Sequence, residues 1–159
     1  MSQKIAVVGA GFIGRSWAMV FSKAGHHVSL YDIDPAALSE AMNLLEINIA
    51  DLESNGLISS KDDLLGRIQP YKTLEGAVEE AEWVQENALE NVQIKRELFS
   101  RMDELLPETT ILASSTSAIP CSDISNGMKG AGRIIVAHPA NPPYCLLYTS
   151  PSPRDFQVS

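Results

Sequence analysis

Basic residues and cysteines are both scarce in this sequence. Its 159 residues include 12 lysines and arginines against 20 aspartates and glutamates, a formal charge of −8. The cations are spread out, so no basic patch offers itself to nucleic acid or to an anionic membrane, and neither partner is expected. The two cysteines, Cys121 and Cys145, provide neither a disulfide framework nor a metal-ligand spacing. No apolar run approaches the ~18 residues that a bilayer-spanning helix requires. Met1-Ser2-Gln3-Lys4 leads straight into an apolar run, leaving no room for a signal peptide. These absences describe a cytoplasmic protein. What remains, 45% hydrophobic and 20% charged residues, is the ordinary composition of one globular domain with a real core.

The chain is organised around Ile5-Ala6-Val7-Val8-Gly9-Ala10-Gly11-Phe12-Ile13-Gly14. The apolar run predicts a strand buried on both faces, as in a parallel sheet. Three glycines follow in G-x-G-x-x-G spacing, and then a helical pattern. In that arrangement Gly9 permits the tight turn, Gly11 lets backbone approach a pyrophosphate, and Gly14 lets the helix pack close to the strand. The pyrophosphate would rest on the helix N-terminus, beside Phe12 and Ile13. Glycine spacing alone is weak. Here a second strand, His27 to Tyr31, runs into Asp32, about twenty residues on, where a carboxylate holds the ribose hydroxyls of NAD. The alternative is a plain strand–turn–helix with an incidental aspartate, and the register of strand, glycines, helix and acid argues against it.

Strands and helices alternate along the rest. A helix from Ile13 to Ala24 is predicted to turn Ile13, Trp17, Phe21 and Ala24 to one side. His26 and His27 lack further ligands nearby and read as a solvated turn. Asp34-Pro35 opens a helix with the stripe Leu38, Met42, Leu45, Ile49 and Leu52, closed by Asn55-Gly56. A short helix over 60–65 precedes a strand over 68–71, which Pro70 confines to a sheet edge. A helix over 74–81 and a strand over 83–86 follow. A helix over 92–106 then carries Ile94, Leu98, Met102 and Leu105 on one face. Strands over 110–113 and 133–137 flank a short helix opening near Pro120. This alternation predicts a doubly wound parallel sheet, an α/β nucleotide-binding fold.

In such sheets ligands bind beyond the carboxyl ends of the strands. The glycine loop, Asp32, Glu86 to Glu90, Ser114 to Ser117 and His138 to Asn141 all fall there. Each has a bland reading alone, since Ser117 can cap a helix and a loop histidine is usually structural. Together they mark one site.

At these residues the chain resembles the NAD-binding half of the 3-hydroxyacyl-CoA dehydrogenase superfamily, in the branch containing lambda-crystallin and L-gulonate 3-dehydrogenase. The matching segments are Ile5 to Phe21, Leu30-Tyr31-Asp32-Ile33, Val84 to Lys95, Ser114 to Ser117, and His138-Pro139-Ala140-Asn141-Pro142-Pro143-Tyr144. The resemblance implies that His138 is the catalytic histidine and Ser117 the serine that meets the substrate oxygen. It implies that Glu90 and Lys95 lie near the nicotinamide end and that Asn141 lines the cofactor and substrate pocket. Ser115 departs from the asparagine usual in the fatty-acyl enzymes. The chemistry is coherent: imidazole is the natural base for a secondary alcohol, and a hydroxyl donor steadies the alkoxide. The implied substrate is a small 3-hydroxy acid or its CoA thioester. Between Lys23 and Lys61 there is no cation, while Glu40, Glu46, Asp51 and Glu53 are present, a poor setting for a polyphosphate and a reason to expect the free acid. A non-catalytic NAD-binding or crystallin-like structural role is the other implied class.

Residues 1–144 are therefore expected to form the NAD-binding domain. Residues 145–159 resemble a translated sequencing adapter and read as an assembly scar, expected to be mobile. The family's orienting glutamate and its helical second domain, which supplies homodimer contacts, would lie downstream of Tyr144.

Overall fold

The computed structural model describes residues 2–139. Asn141 and residues 145–159 lie outside them. The chain forms β1 (Lys4–Val8), α1 (Phe12–Lys23), β2 (His27–Tyr31), α2 (Pro35–Ser54), α3 (Lys61–Leu65) and β3 (Ile68–Tyr71). It then crosses back through α4 (Leu74–Val78) to β4 (Trp83–Glu86), α5 (Val92–Leu105), β5 (Ile111–Ser114), α6 (Cys121–Ser125), a 3-10 turn and β6 (Ile134–Val136). All six strands are parallel, in the order β3-β2-β1-β4-β5-β6. The order reverses between β1 and β4, which opens a crevice beyond their carboxyl ends. Among the described residues no helix is long and apolar enough to cross a membrane.

Period-two alternation divides β1 between two cores. Ile5 and Val7 pack with Val28, Leu30, Leu45 and Ile49 against α1, α2 and α3. Ala6 and Val8 pack with Val84, Leu112, Phe99 and Met102 on the other face. Local signals set the ends. The Asp34 side chain accepts from Ala36 N–H ahead of Pro35, and Ser60 and Thr73 cap α3 and α4 in the same way. β3, with Pro70, takes an edge.

Two helices present a different face from the one their apolar residues predict. In α1 the buried line is Gly14, Ala18, Met19 and Ser22, while Ala24 is exposed and Trp17 and Phe21 flank the core. The helix lies so close to the sheet that small side chains must face it. In α5 the buried residues are Lys95, Phe99 and Met102, and Ile94 and Leu105 stay 40% and 44% exposed. The helix is rotated by about one residue from its predicted stripe, because a buried partner accommodates Lys95. Boundaries also move: α4 stops at Val78, β5 runs one residue later than predicted to include Ser114, and β6 is limited to three residues.

Candidate functional site

The loop after β1 is shaped by two glycines and left open by a third. Gly9 has φ +95°, and a Cβ there would lie 2.7 Å from the Asn87 carbonyl oxygen. A Cβ on Gly14 would lie 1.8 Å from the Gly9 oxygen, so only glycine lets α1 approach this loop. Gly11 is the N-cap of α1, and a Cβ there would meet nothing within 4 Å. The space above Gly11 is open, at the positive end of a 12-residue helix. Phe12, 47% exposed, stands beside it, and Ile13 is half-buried.

Asp32, at the end of β2, ties the neighbouring loops together. Its carboxylate accepts from Ala10 N–H at 2.7 Å and from Asp34 N–H at 3.0 Å. Arg15 donates to the Ala10 carbonyl at 3.3 Å, so both backbone polar groups of Ala10 are held. Ile33 and Leu89, on the loops after β2 and β4, are 88% and 74% exposed. Both loops adjoin the glycine loop, so two large apolar groups stand in water on either side of it.

Beyond β4 and β5 the polar groups are interlocked. Lys95 is buried and meets both Glu86 oxygens, at 2.7 and 2.9 Å, plus the Ala88 carbonyl at 3.4 Å. Glu90 is half-exposed. One of its oxygens accepts from the Thr116 hydroxyl at 2.6 Å and from the N–H groups of Ser117 and Ala118 at 3.1 and 3.3 Å. Burial alone would push the Glu90 carboxyl up. Those hydrogen bonds and the Lys95 charge outweigh it and hold the group below the usual carboxylate range.

The last part of the edge is built from β5 and β6, where Ser114 pairs with Val136. The exposed Ser117 and His138 follow on adjacent loops. His138 Nδ1 lies 3.2 Å from the Ser115 carbonyl oxygen. A carbonyl can only accept, so this is a hydrogen bond when Nδ1 carries the proton, and in that tautomer the lone pair is on Nε2. The Ser115 hydroxyl accepts from Trp17 at 3.1 Å and Gln85 at 2.8 Å and donates to Asn87 at 2.7 Å. Gln85 also donates to the Ala137 carbonyl at 3.3 Å, next to His138.

The fold thus brings the glycine loop, Asp32, Glu90, Ser117 and His138 to one sheet edge. Lys95 lies beneath it rather than on it. The sequence assigns no site role to Trp17 or Gln85, and it points to Glu86 and Asn87 only as part of the run from Glu86 to Glu90. A cleft of about 300 Å3 lined by Lys4, His27, Arg67 and Glu80 contains none of these groups. The open space at Gly11, the helix end and the Asp32 carboxylate fit a dinucleotide.

Comparison with known proteins agrees. Residues 4–147 match the family described as 3-hydroxyacyl-CoA dehydrogenase, NAD binding domain. The chain is 40% identical over 143 residues to the lambda-crystallin homolog of Bos taurus, covering 88% of this chain and 44% of that protein. It is 38% identical over 144 residues to L-carnitine dehydrogenase of Streptomyces griseus subsp. griseus, covering 91% of this chain and 42% of the relative. The 3-hydroxybutyryl-CoA dehydrogenase of Escherichia coli superposes with a TM-score of 0.85 at 30% identity, over 89% of this chain and 30% of that one. The chain spans less than half the length of these relatives.

Proposed function

The chain belongs to the 3-hydroxyacyl-CoA dehydrogenase family as an NAD-binding domain, and from that premise we propose that it is the nucleotide half of an enzyme that oxidises the 3-hydroxyl of a small 3-hydroxy acid. NAD, when bound, supplies the hydride acceptor. The glycine loop and the α1 N-terminus would receive its pyrophosphate, and Asp32 would accept from the adenosine ribose hydroxyls. Glu90, with one oxygen committed to the Ser117 loop and the other 3.6 Å from Lys95, would meet the nicotinamide end of the cofactor.

One observation carries the reaction: His138 is fastened through Nδ1 to the Ser115 carbonyl at 3.2 Å, which leaves Nε2 as a base beside the cofactor edge. Nε2 takes the substrate hydroxyl proton, and the Ser117 hydroxyl donates to the oxygen as negative charge builds on it. The substrate preference rests on charge and on likeness. Glu40, Glu46, Asp51 and Glu53 are exposed along α2 and would repel a CoA nucleotide. Carnitine, named for the Streptomyces relative, is itself a free 3-hydroxy acid.

The test compares the parent protein, extended past Tyr144 with its own sequence, on free 3-hydroxy acids and on 3-hydroxybutyryl-CoA. A higher kcat/KM on a free acid is expected, and His138→Ala should abolish turnover without loss of NAD binding. A higher value on the thioester overturns the substrate, and full activity in H138A overturns the base. The 159-residue chain, which spans less than half the length of its relatives, is expected to bind NAD without turnover, since misplacement of His138 by about 1 Å can cost on the order of a hundredfold in rate.

A further inference from the structure

Glu86 and Lys95 are the most deeply buried charges among the described residues, with side chains 0% and 1% exposed. Taking such a pair out of water costs more than packing an apolar pair of the same size, so stability is a poor reason for it. Its contacts suggest another. Glu86 is the last residue of β4 and Lys95 lies near the start of α5, so the pair spans the base of the loop over 87–91. Glu86 accepts from Ala88 N–H at 2.6 Å, and Lys95 donates to the Ala88 carbonyl at 3.4 Å. Both backbone polar groups of Ala88 are thus held by the pair. The second Glu86 oxygen accepts from the Ser114 hydroxyl at 2.6 Å, which fixes the pair to the end of β5. Lys95 also lies 3.6 Å from the free oxygen of Glu90, whose other oxygen holds the Ser117 and Ala118 amides.

We propose that the buried Glu86–Lys95 pair is a positioning element that sets Glu90 and Ser117 against the nicotinamide half of NAD. An ammonium has three protons, and both Glu86 oxygens and the Ala88 carbonyl receive them. This inference rests on the NAD site proposed above.

ADP reaches only the glycine loop and Asp32, whereas NAD also reaches Glu90 and Ser117. The ratio of their affinities therefore reads the pair, which general loss of stability would not do. Calorimetry on the 159-residue chain would compare wild type, the apolar replacement E86L/K95M, and S114A, each checked for a cooperative unfolding transition. In E86L/K95M the NAD affinity should fall at least about tenfold while ADP affinity stays within about twofold. S114A, a small change that leaves both charges paired, should move the ratio in the same direction. An unchanged NAD-to-ADP ratio in a folded E86L/K95M overturns the proposal. If that variant does not fold, an unchanged ratio in S114A overturns it. A wild-type chain that binds neither nucleotide contradicts the NAD site instead.

Discussion

The indole N–H of Trp17 donates to the hydroxyl of Ser115 at 3.1 Å, across 98 positions of sequence. It joins the helix that opens at the glycine loop to the loop whose carbonyl holds His138. Ser115 is the node because one hydroxyl can accept twice and donate once. Replacing Ser115 with Ala removes the acceptor of Trp17 and Gln85 and the donor to Asn87. Urea unfolding should show S115A less stable by about 1–3 kcal/mol. A change too small to measure would mean that water replaces the hydroxyl.

The two glycines at the ends of the α1 turn should fail in different ways. Gly14→Ala places a methyl 1.8 Å from the Gly9 carbonyl oxygen, so the backbone must shift at a cost of about 1–3 kcal/mol. Gly11→Ala adds a methyl to open space, and unfolding should shift by no more than about 0.5 kcal/mol. Its NAD affinity should nevertheless fall at least about tenfold, because the methyl takes the space of the pyrophosphate. Loss of stability in G11A, or NAD binding retained by it, would contradict the assigned cradle.

The Glu86–Lys95 pair gives a stability prediction of its own. K95M leaves Glu86 buried without its cation and should cost about 3–5 kcal/mol. E86L/K95M removes both charges and should recover most of that. Equal losses in the two proteins, measured by denaturant unfolding, would show that the charge balance is not what matters there.

Acid stability should depend on Asp103. Burial raises its carboxyl. The Gly130 N–H, the hydrogen bonds and charge of Arg133, and the charge of Lys129 together outweigh burial, so the net value lies below the ordinary 3.8. A lowered folded-state value means that the contribution is complete above the unfolded value and is lost as pH falls through the folded one. Arg133 also caps the carbonyls of Pro107, Thr110 and Leu106 at the entry to β6. D103N should therefore be less stable than wild type at neutral pH. Below about pH 4 the two stability curves should converge, with the steeper fall in wild type. Parallel curves would remove Asp103 from the acid transition.

Much of this molecule was legible because its signals are local. The apolar run over 5–8, Pro70 at an edge and the cap Asp34 each act within a few residues. The glycine spacing and Asp32 likewise needed only the distance between two strand ends. What escaped depends on partners far apart. Hydrophobic periodicity turns Lys95 outward, and only Glu86 across the loop reverses that. In α1 the largest apolar residues attract attention, yet close approach to the sheet selects Gly14, Ala18 and Ser22. Gln85 looked like an ordinary strand residue until Ser115 and Ala137 were brought to it. The roles suggested for Ser117 and His138 came from family resemblance, since no periodicity singles out an exposed loop hydroxyl or imidazole.

The edge formed by the glycine loop and Asp32 should bind NAD, and calorimetric titration of the 159-residue chain with NAD and, in parallel, NADP measures this. Asp32 would face the 2′-phosphate of NADP, and no cation lies between Lys23 and Lys61 to receive it. One saturable site is expected, with NAD bound at least about tenfold more tightly than NADP, about 1.4 kcal/mol. No detectable NAD binding, or NADP bound as tightly as NAD, would contradict it.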